Sequence, residues 1–235
     1  MARLPPELST LGREVAAVAK QASLWSRDLT RPIVPRDVQP GDHIALVLHG
    51  LFASAGVMRP LRHALDRCPQ VKTASMTYPP GPGIETLADR VHRLVETLPE
   101  DARLHLIGHS TGGIVARHYA HRVMPSGRVV QTVSLAAPFA GVAAARVAGR
   151  LSPLARDLAP DSAVLRALRL ESATSDLPHL SILAEKDGVI GAPTSHALVG
   201  GEVRVIPGCG HNGLLYHPDA LAAVAARIGA RLAAP

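Results

Sequence analysis

The sequence predicts an α/β fold: a mostly parallel central sheet of about six strands with helices on both faces. Three observations predict it. From residue 42 onward, short apolar runs alternate with segments of helical character, the pattern of parallel strands joined by crossover helices. One run, Leu104 to Gly108, stops at Gly-His-Ser-Thr-Gly and continues into Ile114-Val115-Ala116-Arg117-His118-Tyr119, which reads as a buried strand turning sharply into a helix. Finally, 235 residues with 47% hydrophobic content suffice to bury one sizeable core. Aromatic residues make up only 3%, so that core must be built mostly from Ala, Leu and Val.

Taken in order, residues 1–40 form an N-terminal amphipathic helix and linker. Leu8, Leu11, Val15, Val18, Ala22, Trp25 and Leu29 recur at spacings of three and four, one apolar stripe on a helix. The stripe is expected to pack on the body of the same molecule, with a homodimer or contact with a membrane surface as the alternatives. Arg31 to Pro40 reads as a linker. The main domain, residues 41–235, should carry strands at 43–49, 71–78, 103–108, 129–135, 179–184 and 202–206, and helices at 55–67, 84–98, 111–123 and 218–233. About 140–177 there is no strand signal. Short helices rich in Ala, Leu and Arg, broken by Pro153 and Pro160, are expected there as a cap over the top edge of the sheet.

The formal charge of +6 comes mainly from Arg spread along the chain. A nucleic-acid site would need a concentrated basic patch with stacking aromatics, so no nucleic-acid partner is expected. Weak attraction to anionic lipid surfaces stays open. No apolar run reaches the length of about 18 residues that spans a membrane. The start of the chain lacks a continuous apolar signal-peptide core, the best stretch, Val15 to Ala19, being closed by Lys20. A cytoplasmic location is the expectation, secretion not excluded. Cys68 should end a helix at one edge of the sheet and Cys209 follow a strand at the other, so two free thiols are expected.

Chance alone gives about 0.1 G-x-S-x-G patterns in a chain of this composition, so the weight falls on the strand before it and the helix after it. In that context Ser110 is a nucleophile whose Oγ stands above the sheet edge. A serine needs a base, and the base an orienting group. After a later strand comes Ala184-Glu185-Lys186-Asp187, and after the last one Gly208-Cys209-Gly210-His211. His211 is read as general base and then acid, and Asp187 as the group that holds its tautomer. Glu185 and Asp176 compete with Asp187 for that role. Donors for a developing oxyanion should be the N–H of Thr111 and, after Leu48-His49-Gly50, the N–H of Leu51, with Phe52 as fallback. Phe52, Tyr78 and Val189 are expected to line a substrate pocket.

At these residues the chain resembles the α/β-hydrolase superfamily, and more narrowly small bacterial lipases and esterases, from about residue 43 to the C-terminus. His49-Gly50-Leu51-Phe52 is similar to their oxyanion turn. Gly210 to Pro218 resembles the G-H-x-x-L-L-x-x-P run around their catalytic histidine, and Asp157 to Leu165 a segment of their cap. The antiparallel hairpin that commonly opens the fold is not evident, and no calcium-ligand cluster is recognisable, so neither metal nor cofactor is expected.

The resemblance and the apolar Leu51-Phe52 wall together point to a carboxylic-ester hydrolase acting on a small-molecule ester or lipid with an apolar acyl chain, through an acyl-enzyme. A thioesterase or acyltransferase would use the same acyl-enzyme, with Arg146, Arg150, Arg156 and Arg166 as a basic rim for a phosphopantetheine or carrier protein. A non-catalytic binding protein on the same fold is the third reading. Fold alone does not choose among them.

Overall fold

The computed structural model of the chain describes residues 6–68, 70–123, 127–150 and 152–232. The opening Met1 to Pro5 and residue 233, the end of the expected last helix, lie outside the described residues. Six strands, β1 (His43–Leu48), β2 (Val71–Met76), β3 (Arg103–His109), β4 (Val129–Leu135), β5 (His179–Ala184) and β6 (Glu202–Ile206), form one sheet in the order β2-β1-β3-β4-β5-β6. Every neighbouring pair is parallel. The inner strands are buried on both faces, which is why they read as continuous apolar runs rather than alternating ones. Along β1, Ile44, Leu46 and Leu48 enter one core, and Ala45 and Val47 the other.

On the first face lie α3 (Ile84–Val95) and α4 (Thr111–His118), which continues as a π-helical turn through Tyr119–Val123; on the second lie α2 (Arg59–Leu65) and α8 (Pro218–Leu232). The helix expected at 55–67 starts at Arg59, because residues 54–59 form successive tight turns, with Val57, Met58 and Arg59 donating to the carbonyls of Ser54, Ala55 and Gly56. In place of an opening hairpin, one residue of the linker guards the outer edge of β2. Ile33 N donates to Ser75 O at 2.7 Å, and Ser75 N to Ile33 O at 3.0 Å, covering backbone groups that an open edge would present to other chains.

Between β4 and β5 run three helices, α5 (Ala145–Ala148), α6 (Pro153–Asp157) and α7 (Ala163–Ala173). Ser152 and Ser162 start the latter two by accepting from Ala155 N and Leu165 N. Pro153 begins α6, at the position where a missing N–H costs nothing. This cap is tied to the body: Asp157 Oδ2 accepts from Ile84 N at 2.8 Å, and Leu154 N donates to Gly81 O.

Before the sheet stands α1 (Pro6–Trp25), and its docking differs from the expectation. The apolar stripe faces solvent, with Leu11 62% and Val15 61% exposed and Val18 and Trp25 about half exposed. The opposite face packs inward through Ala17, Glu14, Gln21 and Leu24. The surface beneath α1 explains the choice. It is a loop whose backbone N–H groups need an acceptor, which Glu14 supplies, while Gln21 donates to the Asn212 side-chain oxygen; leucine and valine could do neither. Trp25 Nε1 donates to Phe52 O at 2.9 Å. Just beyond the helix, Asp28 binds Arg59 and Arg62 of α2. Among the described residues no helix is long and apolar enough to cross a membrane.

Candidate active site

Ser110 sits between β3 and α4 at φ 52°, ψ −124°, a left-handed conformation that costs a non-glycine residue about 1–3 kcal/mol. The surroundings enforce it: Ser110 N donates to Leu135 O at 2.8 Å and Gly113 N to Ser110 O at 3.0 Å. The flanking glycines permit the close approach. A Cβ on Gly108 would lie 2.1 Å from the Gly112 carbonyl carbon, and one on Gly112 2.5 Å from Leu48 O. Strand, turn and helix are therefore packed backbone to backbone, and the serine is the residue pushed outward.

β5 and β6 deliver the other two groups. His211 Nδ1 donates to Asp187 Oδ2 at 2.8 Å, both side chains being buried. The other carboxylate oxygen, Asp187 Oδ1, accepts from Val189 N at 2.9 Å and Ile190 N at 3.0 Å. Burial raises the Asp187 carboxyl, but the bond and charge of His211 and these two N–H groups outweigh it and hold it below the usual range. With Nδ1 donating, Nε2 of His211 is left as the acceptor. Glu185 accepts instead from Gly208 N, and Asp176 is exposed. Ser110 and His211 border the same cavity. No hydrogen bond joins them among the described residues, and such contacts commonly tighten only with substrate.

That cavity has a volume of about 680 Å³ and a mostly apolar wall. Leu51, Phe52 and Val189 line it from the body, and Val142, Ala145, Ala148, Leu154 and Leu158 from the cap. Thr111, directly after Ser110, opens α4 at the cavity. Phe52 is 72% exposed at the rim.

Tyr78 requires a correction: it does not line the main cavity but is buried behind the turn after β1, bordering a narrow recess of about 10 Å³. Its backbone N donates to His49 Nε2 at 3.1 Å, its ring stacks on the imidazole at 3.9 Å, and its hydroxyl donates to His49 O. Burial pushes that hydroxyl far above the usual tyrosine range. His49 Nδ1 in turn donates to Gly50 O at 2.7 Å. In a trans peptide the next N–H points opposite to the carbonyl, so this bond turns the Leu51 N–H away from His49. Burial holds His49 down at about 4, hence neutral.

Sequence reasoning passed over two other groups. His109, inside the G-x-S-x-G pattern, is buried, donates from Nε2 to His211 O at 3.1 Å and lies 5.0 Å from the His211 ring. Burial, and then the charge of His211, hold it down at about 3. The middle residue of such a pattern carries no signal of this, because its partner lies 102 positions away. Glu14 of α1 is the second, bonded to the residues just after His211. Cys68 and Cys209 are free thiols, and burial pushes the Cys209 thiol up to about 12. No group of three or more His, Cys, Asp or Glu among the described residues could hold a metal ion.

Comparison with known proteins gives the site its setting. The palmitoyl protein thioesterase family matches residues 46–177. No curated protein sequence matches the chain. Similar solved structures include a monoacylglycerol lipase from Paleococcus ferrophilus, at 16% identity and TM-score 0.64, covering 83% of this chain and 96% of that one. A carboxylesterase from Bacillus subtilis follows at 18% identity and TM-score 0.56, covering 96% and 98%. A lipase from Bacillus licheniformis follows at 13% and 0.60, covering 79% and 91%. These likenesses match the six-stranded parallel sheet with flanking helices described above. The chain is thus a hydrolase of α/β-hydrolase fold that belongs to the palmitoyl protein thioesterase family.

Proposed function

We propose that the protein cleaves carboxylic esters of an apolar acyl chain through a Ser110–His211–Asp187 triad. The observation that carries this reading is the buried His211–Asp187 pair at 2.8 Å, bordering the same apolar cavity as the strained Ser110. His211 Nε2 takes the proton of Ser110 Oγ as the oxygen attacks the acyl carbonyl. The Thr111 and Leu51 N–H groups hold the oxyanion, the latter aimed by the His49–Gly50 bond. His211 then protonates the leaving alkoxide, and the acyl-enzyme is hydrolysed by water with His211 as base again. The acyl chain lies along the Ala- and Leu-lined wall of the cap.

Thioester cleavage by the same acyl-enzyme is the second reading, and the family match favours it. Arg150, Arg156 and Arg166, exposed on the cap, suit an anionic carrier of the thiol. On the partner side, the solvent-facing stripe of α1 is read as a contact for a lipid surface or a second copy of the chain. Side-by-side turnover of p-nitrophenyl esters and acyl thioesters, over acyl chains of two to sixteen carbons, tests the first reading against the second. A strong preference for thioesters replaces the ester reading. Labelling with a fluorophosphonate, blocked by Ser110→Ala, tests both, and folded protein that resists the label ends both.

A further inference from the structure

The helix that precedes the sheet reaches the loop of the histidine. Glu14 Oε1 accepts from Asn212 N and from Asn212 Nδ2, both at 2.8 Å, while Oε2 accepts from Gly213 N at 2.9 Å. Two turns further along α1, Gln21 Nε2 donates to Asn212 Oδ1 at 2.8 Å. The loop is shaped around the carboxylate: a Cβ on Gly210 would lie 2.4 Å from Glu14 Oε2, and one on Gly213 3.3 Å from it. Near the start of the loop, the Thr10 hydroxyl donates to Gly208 O at 3.4 Å. The stretch Gly208-Cys209-Gly210-His211-Asn212-Gly213 holds three glycines, so its own conformational preference is weak and fixing it is entropically costly.

We propose that Glu14 is a positioning residue for His211. Asp187 fixes the imidazole from the Nδ1 side, but the backbone that carries the ring is held by α1. By gathering the N–H groups of Asn212 and Gly213, the Glu14 carboxylate sets where the Cα of His211 stands relative to Ser110. Charge-assisted bonds of this kind are stronger than neutral ones, and a displacement of about 1 Å at a catalytic group costs about 100-fold in rate. This inference rests on the Ser110–His211–Asp187 reading.

The test compares Glu14→Ala, Glu14→Gln and Leu24→Ala in the full chain. Leu24 is half-buried on α1 and its side chain makes none of the hydrogen bonds to residues 208–213, so its truncation removes apolar packing of the helix while leaving the Glu14 bonds in place. Kinetics with a soluble short-chain p-nitrophenyl ester should show kcat reduced about 10- to 100-fold in Glu14→Ala, with KM within about twofold of wild type. Glu14→Gln should fall between, because its amide keeps one acceptor but sets an N–H₂ against the Gly213 N–H. Hydrogen exchange of residues 208–216 should rise in both Glu14 variants while that of β3 and α4 stays as in wild type. Leu24→Ala should keep wild-type kcat. Unchanged kcat in folded Glu14→Ala, or equal losses in Glu14→Ala and Leu24→Ala tracking the loss of folded protein, overturns the proposal. Fluorophosphonate labelling of wild type separates the two readings. If Ser110 is not labelled the triad falls, while unaltered exchange over 208–216 in Glu14→Ala overturns the role of Glu14 by itself.

Discussion

Mild acid should unfold this protein, because several buried imidazoles are held neutral, His49, His105, His109 and His179 among them. His49, His105 and His109 are buried and held by burial at about 4, about 3 and about 3. Their bonds are those of neutral rings. His49 Nε2 accepts from Tyr78 N. His105 Nδ1 accepts from Gln131 Nε2 at 2.9 Å, while its Nε2 faces His43 Nδ1 at 2.8 Å. A proton added to either accepting nitrogen would set one donor against another. In the unfolded chain these rings take up protons at about pH 6.5. Between that pH and the folded values the unfolded state binds more protons, so stability present above about pH 6.5 is lost as pH falls. At pH 5 the loss is about 2 kcal/mol for each of His49, His105 and His109, about 6 kcal/mol together, and His179, held by burial well below the usual range, adds to it. Whole domains are stable by only about 5–15 kcal/mol. Urea unfolding followed by circular dichroism should give a stability that is flat above about pH 7 and falls by at least about 4 kcal/mol per pH unit below about pH 6. In His105→Gln the slope should drop by about 1.4 kcal/mol per pH unit, the share of one histidine. A stability that stays constant from about pH 7.5 to pH 5 would refute the reasoning.

Asp187→Asn should lower kcat by about 10⁴ through the wrong His211 tautomer, whereas Glu185→Gln, whose carboxylate holds only Gly208 N, should stay within about threefold of wild type; steady-state kinetics on one ester compares them, and the reverse ranking removes Asp187 from the triad. Gly108→Ala would drive a methyl into the Gly112 carbonyl and should cost about 3 kcal/mol or more, read as a fall in the midpoint of thermal unfolding. Val15→Ser combined with Val18→Ser, both on the exposed stripe, should leave that midpoint and short-ester turnover unchanged while weakening any binding to lipid vesicles or self-association, measured by co-sedimentation and light scattering.

The six strands were legible because each is a short apolar run between polar segments, and a strand buried on both faces leaves that signature whatever its neighbours. The placement of Ser110, Asp187 and His211 at one sheet edge was legible for a related reason, each following a strand that ends there. The orientation of α1 was not. Periodicity identifies the apolar side of a helix, but the ground beneath α1 is a glycine-rich loop with unsatisfied N–H groups, and that polar requirement decided which side turns inward. Tyr78 was misplaced because proximity to a strand end does not say on which side of the turn a side chain falls. There the hydroxyl found a buried carbonyl at His49 and the ring a stacking partner. His109 and Glu14 are bonded to partners 102 and about 200 positions distant, separations that no local pattern encodes.

The backbone twist at residue 110 has an evolutionary and practical corollary. Glycine enters φ 52° without penalty, so an inert Ser110→Gly chain should outlast the active one on heating, by about 1 kcal/mol. Selection for heat tolerance alone would thus erode the hydroxyl proposed as nucleophile. Its persistence depends on the rest of the sheet being sturdy enough to keep one residue in a posture it would otherwise abandon.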